Sequence, residues 1–272
     1  MKTLSVGRLV LFLCAWIVAA GPAVAQTQQT TEEFVPQVGQ PGKDVVWVPS
    51  PPETVEKMME VGKITPQDFV IDLGSGDGRN VIAAAKRGAR GLGVEYNNDM
   101  VELSKRIAAK EGVTDRAQFV QGDMYAADFS KATVLALFLL PSNLDQLKDK
   151  ILNLRPGTRV VLNTFGIAGW TPEETVTIEN CTSWCTVMLN IVPAKVAGSW
   201  KTPEGELTLA QEFQMVTGTL VRPNGQKVDV KGRLRGEEIT LTGSQQDFVG
   251  RVNGNTIEGT TGQTKMTMTR VR

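Results

Sequence analysis

The segment Asp72-Leu-Gly-Ser-Gly-Asp-Gly78 constrains this chain more than any other. The apolar run Asp68-Phe-Val-Ile feeds directly into it and a helical pattern follows, so it reads as a strand, a tight turn and a helix start. Glycines at 74, 76 and 78 allow positive φ and let a ligand approach with no Cβ in the way, while the first helical turn offers unpaired N–H groups. That combination suits a nucleotide-type ligand. A dinucleotide fingerprint would need glycine at 79, where the chain has Arg79, and Gly78 comes one position too early. A bare strand-to-helix turn would use the same glycines, so the neighbouring segments have to decide between site and turn.

Two further runs favour a site. Arg90-Gly-Leu-Gly-Val-Glu95 ends in an acid whose carboxylate can accept both ribose hydroxyls of a nucleoside. Ala117-Gln-Phe-Val-Gln-Gly-Asp-Met124 ends in Asp123, placed to receive an adenine amino group, with Met124 to pack on the ring. Strand, acid and helix thus recur in order. The D-x-G-x-G-x-G form resembles motif I of class I S-adenosylmethionine (SAM) methyltransferases. On that resemblance the cofactor set is Asp72, Gly74, Ser75, Gly76, Gly78, Glu95, Asp123 and Met124.

The elements around these runs predict a parallel sheet. Val55, Met58 and Met59 mark a preliminary helix after Trp47-Val-Pro-Ser-Pro-Pro. Val81, Ile82 and Ala85 mark the helix after the glycine turn, and Met100, Leu103, Ile107 and Ala108 the next. Ala132 to Leu140 is a nearly continuous apolar run, as a central strand covered on both faces requires. Ser142 can cap a helix carrying Leu144, Leu147 and Ile151. Arg159 to Phe165 gives a fifth strand, and Thr175 to Glu179 with Thr186 to Val192 an antiparallel pair closing the sheet.

After about Lys195 the pattern changes. Asn224-Gly225, Gly236-Glu237, Gly243-Ser244, Asn253-Gly254 and Gly262-Gln263 punctuate short segments rich in Thr, Val and Leu. This predicts about six antiparallel strands in a meander or partial barrel. Such a module can be purely structural, can dimerise, or can dock a partner. The expected organisation is a signal peptide over 1–25, a flexible lead-in over 26–44, a SAM-dependent methyltransferase domain over 45–195 and a β-meander domain over 196–272.

The signal peptide is read from Lys2 and Arg8, the apolar run from Leu9 to Ala20, and Ala23-Val-Ala25 before Gln26, a small-x-small cleavage pattern. Cleavage there predicts export to a periplasm or the medium with no remaining membrane span. Cys14 would leave with it. Cys181 and Cys185 bracket a hairpin tip; in a straight strand, at about 3.3 Å per residue, they could not meet, but across a tight turn they can, and a disulfide is expected. Lys and Arg total 29 against 29 Asp and Glu, so no global charge points to nucleic acid as a partner.

The blocks Val48-Pro-Ser-Pro-Pro-Glu, Asp72-Leu-Gly-Ser-Gly-Asp-Gly-Arg79, Gly93-Val-Glu95, Gly122-Asp-Met124 and Leu139-Leu-Pro-Ser-Asn143 resemble the small class I methyltransferases related to the ATP synthase c-subunit lysine methyltransferase. The resemblance covers roughly residues 45 to 165 and implies a Rossmann-like sheet, SAM as cofactor and methyl transfer to a lysine amine. There is no histidine, which excludes a His base or His metal ligand, and no metal is expected. Transfer from a sulfonium needs alignment and water exclusion more than a base. Asp123, Asp128 or Tyr125 could take a proton or orient the amine, and Asn143, at the carboxyl end of the fourth strand, could contact the nucleophile. Ser142 and Asn143 have an alternative as plain first-turn residues of the helix. Because SAM is made in the cytoplasm, an exported chain leaves a second reading open: a non-catalytic nucleoside-binding or partner-docking protein on this scaffold.

Overall fold

The structure is a computed structural model that describes residue 2 and residues 34–243 and 247–271. The signal peptide and the lead-in as far as residue 33 therefore lie outside the described residues, residue 2 excepted. Among the described residues no helix is long and apolar enough to cross a membrane.

Seven strands form one mixed sheet in the order β3-β2-β1-β4-β5-β7-β6. β1 (Phe69–Leu73), β2 (Arg90–Glu95), β3 (Ala117–Gln121), β4 (Val134–Leu137) and β5 (Arg159–Asn163) run parallel. β6 (Glu174–Thr177) and β7 (Thr186–Ile191) add the antiparallel hairpin, with β7 against β5. The central strands are buried on both faces, which is why they read as unbroken apolar runs. Val70, Val134, Ala136 and Val161 point one way, into a cluster with Val55, Met58 and Met59 of α1 (Pro52–Val61) and Ala83 and Ala84 of α2 (Arg79–Lys86). Ile71, Leu73, Leu135, Leu137 and Leu162 point the other way, onto Leu144, Leu147 and Ile151 of α4 (Pro141–Leu152). α3 (Asn98–Lys110) covers the β2–β3 side through Val101 and Ala108 against Phe119.

Helix starts differ in one detail from the sequence expectation. Proline, with no N–H to lose, takes the first helical position of α4, so the cap position falls to Leu140 and Ser142 sits inside the first turn with no capping bond.

From β8 (Gly198–Thr202) to β15 (Thr264–Arg270) the chain forms a closed antiparallel barrel. Its interior is filled by alternating residues such as Trp200, Leu207, Leu209, Leu234, Ile239, Phe248 and Ile257. Eight strands replace the expected six or so. The two extra turns lie at Pro203-Glu204 and at Phe213-Gln214. The second has a non-glycine residue at positive φ, Phe213 at 49°, which is stacked on Trp170 of the sheet region at 5.7 Å. Arg233 pairs with the nearly buried Glu173 at 2.9 Å, and Gln214 donates to the Thr171 carbonyl at 2.7 Å, so side chains join barrel and sheet.

Candidate active site

The carboxyl ends of the parallel strands open into a cleft, the kind of position where α/β sheets bind ligands. Gly74, Glu95, Asp123 and Met124 line it, so four of the eight residues predicted to hold a cofactor border the cleft directly.

The other four shape the loop. Gly78 is the N-cap of α2 at φ 81°, and a Cβ there would lie 2.5 Å from the Phe119 ring. Gly76, at φ 55°, donates its N–H to Glu95 Oε2 at 3.0 Å. A Cβ at Gly76 would lie 2.6 Å from the Trp47 indole nitrogen, so what a side chain would meet first is this tryptophan. Ser75 is buried and its hydroxyl has no partner. Asp72 is buried beneath the turn and accepts from Asn80 Nδ2 at 3.0 Å. Burial pushes its carboxyl well above the ordinary range, with the charges of Glu95 and Asp77 adding to the shift against the bond from Asn80.

Glu95 ends β2 with its carboxylate already oriented. Oε2 accepts from Gly76 and Oε1 accepts from Asn97 N–H at 2.9 Å. Two fixed amides leave the remaining lone pairs of the carboxylate for a ligand's hydroxyls. Asp123 accepts from Tyr125 N–H at 2.9 Å and from Lys43 Nζ at 2.7 Å, and these bonds, Lys43 first, hold its carboxyl below the ordinary value. The buried Met124 supplies an apolar surface beside it.

Residues 40–48 form a strap along the cleft, so that 40–44, expected as the end of a flexible lead-in, line it together with 45–48 of the expected domain, and Gln40 and Trp47 are bonded to each other across the backbone. The strap is tied down at Ser50, whose carbonyl accepts from Arg79 and whose hydroxyl accepts from Asn163 Nδ2 at 2.9 Å. The Pro-Ser-Pro-Pro block thus serves as an anchor. Lys43, Trp47 and Tyr96 were missed as site residues because nothing in their local sequence marks a contact made across the fold.

Asn143 and Tyr125 do not border the cleft. Asn143 donates to the Tyr125 hydroxyl at 2.7 Å and is buried, its Oδ1 without a partner, and Tyr125 packs against the core under α4. With Pro141 opening the helix, Asn143 is turned inward. Asp128 is exposed and accepts from Ser130 N–H at 2.9 Å. Instead, Phe138, Leu139, Leu140, Phe165 and Trp184 form the far end of the cleft. Among the described residues no group of acids and cysteines could hold a metal ion. Cys181 and Cys185 are bonded, with Cα atoms 5.7 Å apart.

Residues 72–174 match the ANTKMT methyltransferase domain. A protein-lysine N-methyltransferase of Saccharolobus islandicus is 40% identical over 151 residues, which are 54% of this chain and 94% of that protein. This chain belongs to that methyltransferase family. The ATP synthase c-subunit lysine N-methyltransferase of Rattus norvegicus is 33% identical over 158 residues, 57% of this chain and 71% of that protein. The crystal structure of an RNA methyltransferase from Salinibacter ruber with S-adenosyl-L-homocysteine superposes with a TM-score of 0.52 at 41% identity, covering 55% of this chain and 96% of that one.

The protein is therefore a SAM-dependent class I methyltransferase. The lining is compatible with that cofactor: it has two carboxylates, Glu95 and Asp123, suited to a nucleoside, and Gly74, which presents backbone with no side chain. SAM supplies an electrophilic methyl group on a sulfonium. The chain's part is to hold it and to exclude water at the apolar far end.

Proposed function

We propose that this methyltransferase transfers a methyl group to the ε-amine of a lysine side chain in a protein, and that it works outside the cytoplasm. The lysine reading is carried by the 40% identity to nearly the whole Saccharolobus islandicus protein-lysine N-methyltransferase. The cleft supports it: beyond the nucleoside end it becomes an apolar, aromatic passage suited to an uncharged alkylamine, the form of lysine that can act as a nucleophile. Export is supported by the expected signal peptide and by the Cys181–Cys185 bond, since disulfides persist in oxidising compartments.

The test is incubation of the purified protein with labelled SAM and, separately, envelope proteins and total RNA, followed by mass spectrometry of the labelled species. Methylated lysine in an envelope protein is the expected product. Label confined to RNA would overturn the lysine reading. Recovery of the protein from the cytoplasmic fraction with residues 1–25 intact would overturn export.

A further inference from the structure

Three aromatic rings meet at the far end of the cleft. Phe138 follows β4, Phe165 follows β5, and Trp184 lies in the connection between β6 and β7. Phe138 and Phe165 are stacked, with centroids 6.2 Å apart and planes 11° apart. Trp184 leans across both, at 5.3 Å and 58° to Phe138 and at 6.0 Å and 55° to Phe165. All three are half-buried and all border the cleft.

Trp184 is held there by more than packing. It has φ 57°, a conformation few non-glycine residues adopt and one that persists only where the surroundings impose it. Its carbonyl accepts from Thr54 Oγ1 at 3.0 Å, and Thr54 is fully buried in the first turn of α1. The Cys181–Cys185 bond closes the loop around it.

The sheet order places this box relative to the cofactor. Glu95 and Asp123 sit at the ends of β2 and β3, and the rings sit after β4, β5 and before β7, on the opposite side of β1. At about 4.8 Å per strand, β4 is some 14 Å from β3, so the rings stand beyond the nucleoside, toward the acceptor.

We propose that Phe138, Phe165 and Trp184 form a cage for methylated, cationic amines, and that Trp184 is the residue that sets how many methyl groups an acceptor nitrogen receives. The proposal rests on the lysine reading for its natural ligand. Ring faces attract alkylammonium ions. No residue forming this end of the cleft, from Phe138 to Leu140 with Phe165 and Trp184, is ionisable. Such walls disfavour a primary ammonium, which is compact and strongly hydrated, and favour ammonium groups whose charge is already wrapped in methyls. A once-methylated lysine is then retained for a further round. In each round the deprotonated nitrogen forms one N–C bond as one C–S bond of SAM breaks and S-adenosylhomocysteine leaves; the secondary and tertiary ammonium products return a proton to solvent before the next round, and the quaternary product has none to lose.

The cage is testable without turnover. Choline and its uncharged isostere 3,3-dimethylbutan-1-ol are titrated calorimetrically into the full chain with no SAM present. Wild type and Trp184→Phe should prefer choline by about fivefold or more, and Trp184→Leu, apolar but without a ring, should lose the preference. Equal binding of both probes to wild type, or an undiminished preference in Trp184→Leu, would overturn the proposal. With SAM and a lysine peptide, wild type should yield di- and trimethyl-lysine and Trp184→Leu mainly monomethyl-lysine. A Trp184-dependent choline preference without any lysine methylation would keep the cage and reject lysine as its ligand. Lysine methylation without that preference would do the reverse.

Discussion

Lys43 places its ammonium 2.7 Å from the Asp123 carboxylate, at the nucleoside end of the cleft, and 5.3 Å from the centroid of the Tyr96 ring. The bond to Asp123 raises the affinity of Lys43 for its proton and lowers that of Asp123. Tyr125 N–H occupies one lone pair of Asp123 Oδ1 and Lys43 Nζ one of Oδ2, so an adenine amino group would bond a carboxylate whose charge is already shared with a cation. Lys43→Ala should therefore tighten SAM binding in calorimetric titration by about two- to fivefold, the scale of an exposed ion pair. The gain should vanish at about 1 M salt, where screening acts within ~3 Å. Weaker binding would show that the strap holds the cofactor through Lys43.

Glu95 is the counterpart with no competing cation. Because two backbone amides fix its carboxylate, Glu95→Gln keeps the shape but turns one amide of the pair toward an NH2 group. Hydrogen bonds to a charged group are worth roughly 1.5–3 kcal/mol, so SAM affinity should fall about 10- to 100-fold. An unchanged dissociation constant would remove Glu95 from the ribose position.

The contrast between these residues explains what the sequence could reveal. Glu95 and Asp123 stand at the ends of apolar runs whose unbroken pattern follows from burial on both faces, so strand, acid and position were readable together. The strap was not: Lys43 and Trp47 reach the cleft only because Arg79 and Asn163 hold Ser50, contacts 29 and 113 positions away. Phe138, Phe165 and Trp184 lie apart in the chain, and only the order β4-β5-β7 brings them together. Likewise the barrel count fell short at Pro203-Glu204 and at Phe213-Gln214; the second is a turn without glycine, where Phe213 at positive φ stacks on Trp170.

Gly76 and Gly78 should separate binding from folding. A side chain at 76 meets Trp47, part of a strap that can move, whereas one at 78 meets Phe119 and Ser104 in the packed core. Gly78→Val should cost several kcal/mol, combining backbone strain of about 1–3 with overpacking of about 1–3. Gly76→Val carries the strain alone and should stay folded at 25 °C, while losing most SAM affinity because Trp47 is displaced along the cleft. Equal melting temperatures for the two variants would refute this division.

Asp68 joins four elements below the site. It accepts from Thr65 N–H at 2.8 Å, Thr65 Oγ1 at 3.0 Å and Thr133 Oγ1 at 2.8 Å, and it pairs with Arg159, which also donates to the Gly62 and Lys63 carbonyls. Burial alone would raise its carboxyl, but the bonds from Thr133 and Thr65 and the charge of Arg159 hold it below the ordinary 3.8. Its stabilisation is therefore complete above 3.8 and is lost as pH falls through the lowered value. Asp68→Ala, which removes the acceptor shared by Thr65, Thr133 and Arg159, should cost about 1.5–3 kcal/mol in urea unfolding at pH 7, with the gap to wild type shrinking in acid. Asp72 has the opposite sign: its raised carboxyl favours the folded state below the ordinary value and weakens it as pH rises. Asp72→Asn should then gain on wild type from pH 4 upward, and parallel stability curves for either variant would contradict these charge states.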